Sequence, residues 1–255
     1  LNLMTPKKIA AVCTLVVGVL LALVLFGCAQ PPAAESIQKA QRELDSGHGA
    51  DAVRRLERAY KNEPANSEVA EALAFAHLSS GDAARAGELF NELGLSKNTD
   101  DHLYAAQAFK KANQPQKAIE AYRLYLLSEP KQATPWNELG EIYIAAGNTD
   151  EGIAALVKAN EISPSAELSA RIAMLYAQQG SSAQTERYLQ SALRQAKAAR
   201  PAGSTPSQLE GDILLQLTQM ALDQKKPNEA ERHLRQLERD FPEYAQLSDL
   251  KDRLA

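Results

Sequence analysis

Trp136-Asn137-Glu138-Leu139-Gly140-Glu141-Ile142-Tyr143 is the stretch that settles the architecture. Trp136, Leu139, Gly140 and Tyr143 stand at i, i+3, i+4 and i+7, so they share one face of a helix with 3.6 residues per turn. Gly147 follows as a helix stop, because glycine enters the left-handed conformation that ends a helix at little cost. Gly152, Leu156 and Ala159 resume helical spacing, and Pro164 closes the segment because proline cannot continue a helix. The segment therefore reads as a helical hairpin.

The same frame extends in both directions along the 255-residue chain. A small residue recurs at Ala52, Ala86, Ala118, Gly152, Thr185 and Ala230. A bulky one follows four residues later, at Leu56, Phe90, Tyr122, Leu156, Leu189 and Leu234. The turn between the two helices falls at Gly47, Gly81, Asn113, Gly147, Gly180 and Lys225. All three series are spaced by 34, 32, 34, 33 and 45 residues, so chance agreement is excluded. Closing prolines stand at Pro64, Pro130, Pro164 and Pro242. The spacing of 45 implies about 11 extra residues around Lys197 to Gln208, where Ala-Arg-Pro-Ala-Gly-Ser-Thr-Pro-Ser reads as an exposed loop. One hairpin cannot bury its own apolar face, so neighbours must stack into a continuous core. Aromatic residues make up only 5% of the chain and alanine is abundant, which suits closely approaching helices better than a sheet sandwich.

On these residues the chain resembles the tetratricopeptide repeat, whose signature runs Trp-x2-Leu-Gly-x2-Tyr with small, bulky and proline positions after it. Gly152 stands where alanine is usual, and being small it is expected to preserve the helix contact. The resemblance implies an all-α, right-handed superhelical solenoid of about six helical hairpins. They fall at residues 35–66, 67–98, 99–132, 133–165, 166–200 and 208–242, so the repeat domain spans 35–242. Tyr244, Leu247, Leu250 and Leu254 recur at helical spacing, and residues 243–255 are expected to form a C-terminal capping helix.

The N-terminus reads as an address. Lys7 and Lys8 precede an uncharged apolar run from Ile9 to Phe26, the layout of an export signal. About 18 apolar residues also just span a bilayer, so the run alone leaves an uncleaved anchor open. Leu25-Phe26-Gly27-Cys28 resembles the bacterial lipoprotein box, with Phe26 bulkier than usual. Residues 1–27 are then a signal peptide and Cys28 carries the lipid. Only two cysteines occur, Cys13 and Cys28, and cleavage removes the first. Residues 28–34 read as a lipidated tether that reaches roughly 20 Å at 3.3 Å per residue. Each acyl CH₂ buried in the bilayer contributes about 0.8 kcal/mol of attachment. Ala29 after the cysteine resembles the sorting pattern of an outer-membrane lipoprotein facing the periplasm.

Little in the sequence points to catalysis. His48, His77, His102 and His233 form no close ligand pairing, and His77 and His102 occupy repeat positions where a ring packs. Asp100 and Asp101 precede His102 at a helix start, where acidic residues are favoured by the helix dipole. Gly47-His48-Gly49-Ala50-Asp51-Ala52 imitates a dinucleotide fingerprint but follows no strand. The expectation is a non-enzyme without cofactor, metal or small-molecule substrate. A net charge of −4 with no basic stripe argues against nucleic acid.

The resemblance also implies where partners bind, since the first helix of each hairpin lines the concave face in this family. Carried over, the positions are Phe75 and Leu78; Leu103, Gln107, Lys110 and Lys111; Asn137, Glu141 and Ile144; Met174 and Gln178; Leu215 and Gln219. Chaperone-binding members clamp a carboxylate tail; here Glu141 would repel one. Lipoproteins of this build resemble the accessory proteins of type IV and tight-adherence pili. That resemblance implies a membrane-anchored scaffold for envelope assembly, with secretin or pilus components as partners. The alternatives are an adaptor for peptidoglycan hydrolases or envelope proteases, or a scaffold for exopolysaccharide export.

Overall fold

A computed structural model describes residues 32–94 and 99–254. The expected signal peptide and Cys28 lie outside the described residues. Every regular element among the described residues is a helix, and the chain divides into two compact units, Leu1–Asn98 and Thr99–Ala255.

The first unit holds α1 (Pro32–Asp45), α2 (Gly49–Asn62), α3 (Ser67–Ser80) and α4 (Ala83–Gly94). These form two hairpins, and α2 packs on both α1 and α3. The second unit holds four hairpins and a terminal helix. Its elements are α5 (Thr99–Lys111), α6 (Pro115–Ser128), α7 (Ala133–Ala145), α8 (Thr149–Ile162), α9 (Ala166–Gln178), α10 (Ser182–Ala199), α11 (Gln208–Asp223), α12 (Pro227–Asp240) and α13 (Leu247–Leu254). Among its described residues, packing runs from each helix to the next, and α13 lies on α11 and α12. No described helix is long and apolar enough to cross a membrane.

The periodic positions do what their chemistry requires. Every small position is buried, and so is every bulky partner, including Phe90, Tyr122 and Leu156 at 0% exposure. All six turn positions have positive φ: Gly47 (78°), Gly81 (93°), Asn113 (55°), Gly147 (84°), Gly180 (71°) and Lys225 (56°). Helices α2, α6, α8 and α12 each end two residues before a proline, at Pro64, Pro130, Pro164 and Pro242. Asn66 caps α3 by accepting from the Glu68 and Val69 amides (3.1 and 3.3 Å). The Trp136 indole donates to the Pro130 carbonyl (2.9 Å), fixing the start of α7 against the end of the preceding hairpin.

Three boundaries differ from the sequence reading. The tether was expected to run to Ala34, but Pro32, Ala33 and Ala34 belong to α1 and Ala33 is buried. Proline is accommodated in a first turn, whose N–H groups have no partner inside the helix anyway. The expected loop from Lys197 is shorter, because Lys197-Ala198-Ala199 are good helix formers that carry α10 on until Pro201 nears. The loop is 200–207, and Ser207 with Glu210 makes a capping box that starts α11. The terminal helix begins at Leu247 rather than at 243. Phe241 and Tyr244 precede it in a turn, with their rings edge to face at 5.5 Å.

Gly152 also proves more demanding than a generic small position. A Cβ on it would lie 2.5 Å from Ile144 Cγ1 and 3.0 Å from the Gly140 carbonyl, and a Cβ on Gly140 would lie 2.7 Å from Leu156 Cδ2. The α7–α8 hairpin therefore closes on a pair of facing glycines.

Candidate protein-binding surface

In the first unit, Phe75 lies on α3 and stays 38% exposed while its ring packs edge to face on buried Phe90 at 5.0 Å. That contact fixes the direction in which the ring faces solvent. Leu78 is half-buried on the same helix. Phe75 is one wall of a recess of about 340 Å³ between α1 and α3.

In the second unit, Gln107, Lys110 and Lys111 are exposed on α5, and Leu103 is half-buried. Met174 (47% exposed) and Gln178 lie open on α9. Asn137 and Glu141 come together in a recess of about 440 Å³ between α7 and α9, with Thr134, Glu167 and Arg171. Lys110 and Glu141 also flank a smaller recess of about 280 Å³ floored by Pro115 and Ile142. Gln219 is half-buried on α11. Two of the expected contact residues serve the interior instead. Ile144 packs with Ile153, Leu156, Ile172 and Leu175, and Leu215 packs on the core formed by α9 to α12.

Polar residues that the repeat positions did not single out organise this surface. Arg171 reaches Glu141 from the next hairpin (3.3 Å), and Lys110 approaches Glu138 (3.6 Å). Glu138 also accepts from the phenol of buried Tyr122. Burial, then this hydrogen bond, pushes the Tyr122 phenol well above its ordinary range, so it remains a donor. The Arg171–Glu141 pair is about four-tenths exposed and contributes only about 0–1 kcal/mol to folding. Such pairs can be exchanged for a partner's charges at little cost to the fold. The signal for the Arg171–Glu141 pair was opposite charge 30 residues apart, which only a repeat register brings together. Leu127 is also exposed, at 80%, but on the second helix α6, outside the expected face.

The histidines divide by burial. His77 is buried with Nδ1 3.5 Å from Asp82, and burial lowers its pKa despite that carboxylate. His102 is buried with no hydrogen bond at Nδ1, and burial again holds its pKa down. Among the described residues no group of three or more His, Cys, Asp or Glu is placed to hold a metal.

Comparison with known proteins agrees with this geometry. Sequence profiles of the tetratricopeptide repeat match residues 43–108 and 104–167. No curated protein matches the chain. Among solved structures, MamA from Desulfovibrio magneticus RS-1 is similar with a TM-score of 0.53 at 18% identity, covering 68% of this chain and 100% of that one. A second MamA crystal structure gives 0.56 at 20% identity, covering 68% and 98%. A repeat protein from Parabacteroides merdae ATCC 43184 gives 0.50 at 16% identity, covering 87% and 98%. At these identities the likeness is one of fold.

Proposed function

From a chain that carries tetratricopeptide repeats, we propose a membrane-anchored scaffold that holds protein components of an envelope assembly, of the pilus or secretion class. Repeats of this kind bind other proteins. The observation that carries the reading is the first-helix side chains: Phe75, Gln107, Lys110, Met174 and Gln178 remain open to solvent although both helices of each hairpin are packed. Within each unit, such a mixture of apolar and polar groups on first helices suits contact with a protein segment. The anchor rests on Cys28 and its Leu-Phe-Gly-Cys context in the sequence. The envelope class rests on that address.

In-cell photo-crosslinking from Phe75, Lys110, Asn137 and Gln178 tests the scaffold. Capture of one envelope component from several of these sites is the expected result. No adduct from any of them, while control positions on second helices such as Arg123 do crosslink, removes the reading. For the anchor, Cys28→Ser should abolish fatty-acid labelling and shift the chain to the soluble fraction. Unchanged labelling would refute lipidation there.

A further inference from the structure

We propose that the recess between α1 and α3 docks a cationic amphipathic helix of a partner protein, which deepens the scaffold reading and rests on it. The floor is apolar, built from Ile37 and Leu44 of α1, Leu56 of α2 and Phe75 of α3. Phe75 is held edge to face by Phe90, so the wall is preformed and loses little freedom on binding. The rim has one sign. Glu68 and Glu71 line the opening, both exposed, and neither carboxylate has an ion-pair partner among the described residues. Helix α3 contains no Lys or Arg, and its one basic residue, His77, is buried. Of the two cations on α1, Lys39 is held by Glu35 at 2.6 Å, and neither it nor the exposed Arg42 lines the recess.

These features select the occupant by its chemistry. From Glu68 to Phe75 the recess follows α3 for two turns, roughly 10 Å at 1.5 Å per residue. A helix laid beside α3 would set apolar residues at i, i+3, i+4 and i+7 over Ile37, Leu44 and Phe75. Lys or Arg on its flank would then meet Glu68 and Glu71. An acidic segment would leave like charges face to face, and an anionic lipid surface would meet the same repulsion.

The test uses the full chain and a fluorescent helical peptide of Leu and Lys, about 18 residues long so that it holds a helix once docked. A twin peptide replaces every Lys with Glu. The Leu/Lys peptide should bind, more weakly in high salt, while the Leu/Glu twin does not. The double change Glu68→Lys with Glu71→Lys should weaken Leu/Lys binding by about ten-fold or more and admit the Leu/Glu twin. Both glutamates are exposed, so circular dichroism should be unaltered. Phe75→Ser should weaken both pairings. Equal binding of the two peptides, or no response to the double change, overturns the proposal. So does self-association of the chain that Phe75→Ser abolishes without any peptide binding, which would assign the recess to a second copy. If the Leu/Lys peptide fails while crosslinking from Phe75 still captures an envelope protein, the cationic partner is wrong and the scaffold stands. Failure of the peptide together with no adduct from any of the four crosslinking sites removes the scaffold as well.

Discussion

Six residues set the hairpin turns, and one of them is badly suited to its place. Lys225 has φ 56°, a conformation that costs an L-residue with a Cβ roughly 1 kcal/mol or more. Lys225→Gly should stabilise the second unit by about 0.5 kcal/mol in chemical denaturation, after the larger unfolded-state entropy of glycine is subtracted. Gly147→Ala, at φ 84° with open space around its Cβ, should destabilise by a similar amount. Three histidines act through protons. His77, His102 and His233 all have pKa values lowered below 6.5, each chiefly by burial. The unfolded chain then binds protons that the folded chain refuses, so stability is full above about pH 6.5 and declines as pH falls below it. His102→Phe should flatten the fall of Tm with acidity, since Trp136 occupies the equivalent place in the next hairpin. An unchanged pH slope would count against His102.

At the scale of elements, the facing glycines of α7 and α8 decide how closely that hairpin closes. Alanine would gain up to about 1 kcal/mol of helix propensity at Gly152. The contacts at 2.5 and 3.0 Å oppose it, and forcing a methyl into such a site costs typically 1–3 kcal/mol. Gly152→Ala should therefore be net destabilising by about 1 kcal/mol, read as a lower denaturant midpoint. The hairpins themselves were legible because small, bulky and turn residues repeat in one register. Helix lengths were less so: α10 runs past its expected end because propensity carries it on until Pro201, and α1 starts earlier because a first-turn proline is tolerated. The surface was legible only by position. Ile144 and Leu215 stand at expected contact sites yet point into packing, and Arg171 was missed because its partner Glu141 is distant in sequence.

Across the molecule, the second unit is closed at one end by α13. Leu250 is fully buried there, Arg253 pairs with Asp223 and Lys251 with Glu238 (both 2.7 Å), and the Tyr244 phenol donates to Asp212 (2.8 Å). Burial and then that hydrogen bond push the phenol up to about 12. Ending the chain at Pro242 should expose the apolar faces of α11 and α12 and speed their amide exchange far more than that of α7 and α8, because stability in stacked repeats falls off with distance from a damaged neighbour. Uniform loss of protection would mean that the unit unfolds as one block. The neighbour-to-neighbour packing of the second unit also governs how that unit answers to a pull on its ends. Under tension it can surrender one hairpin at a time, each about 34 residues adding roughly 110 Å of contour once extended. A pulling trace should then rise and fall in steps of that size, so the unit lengthens by increments instead of giving way at once.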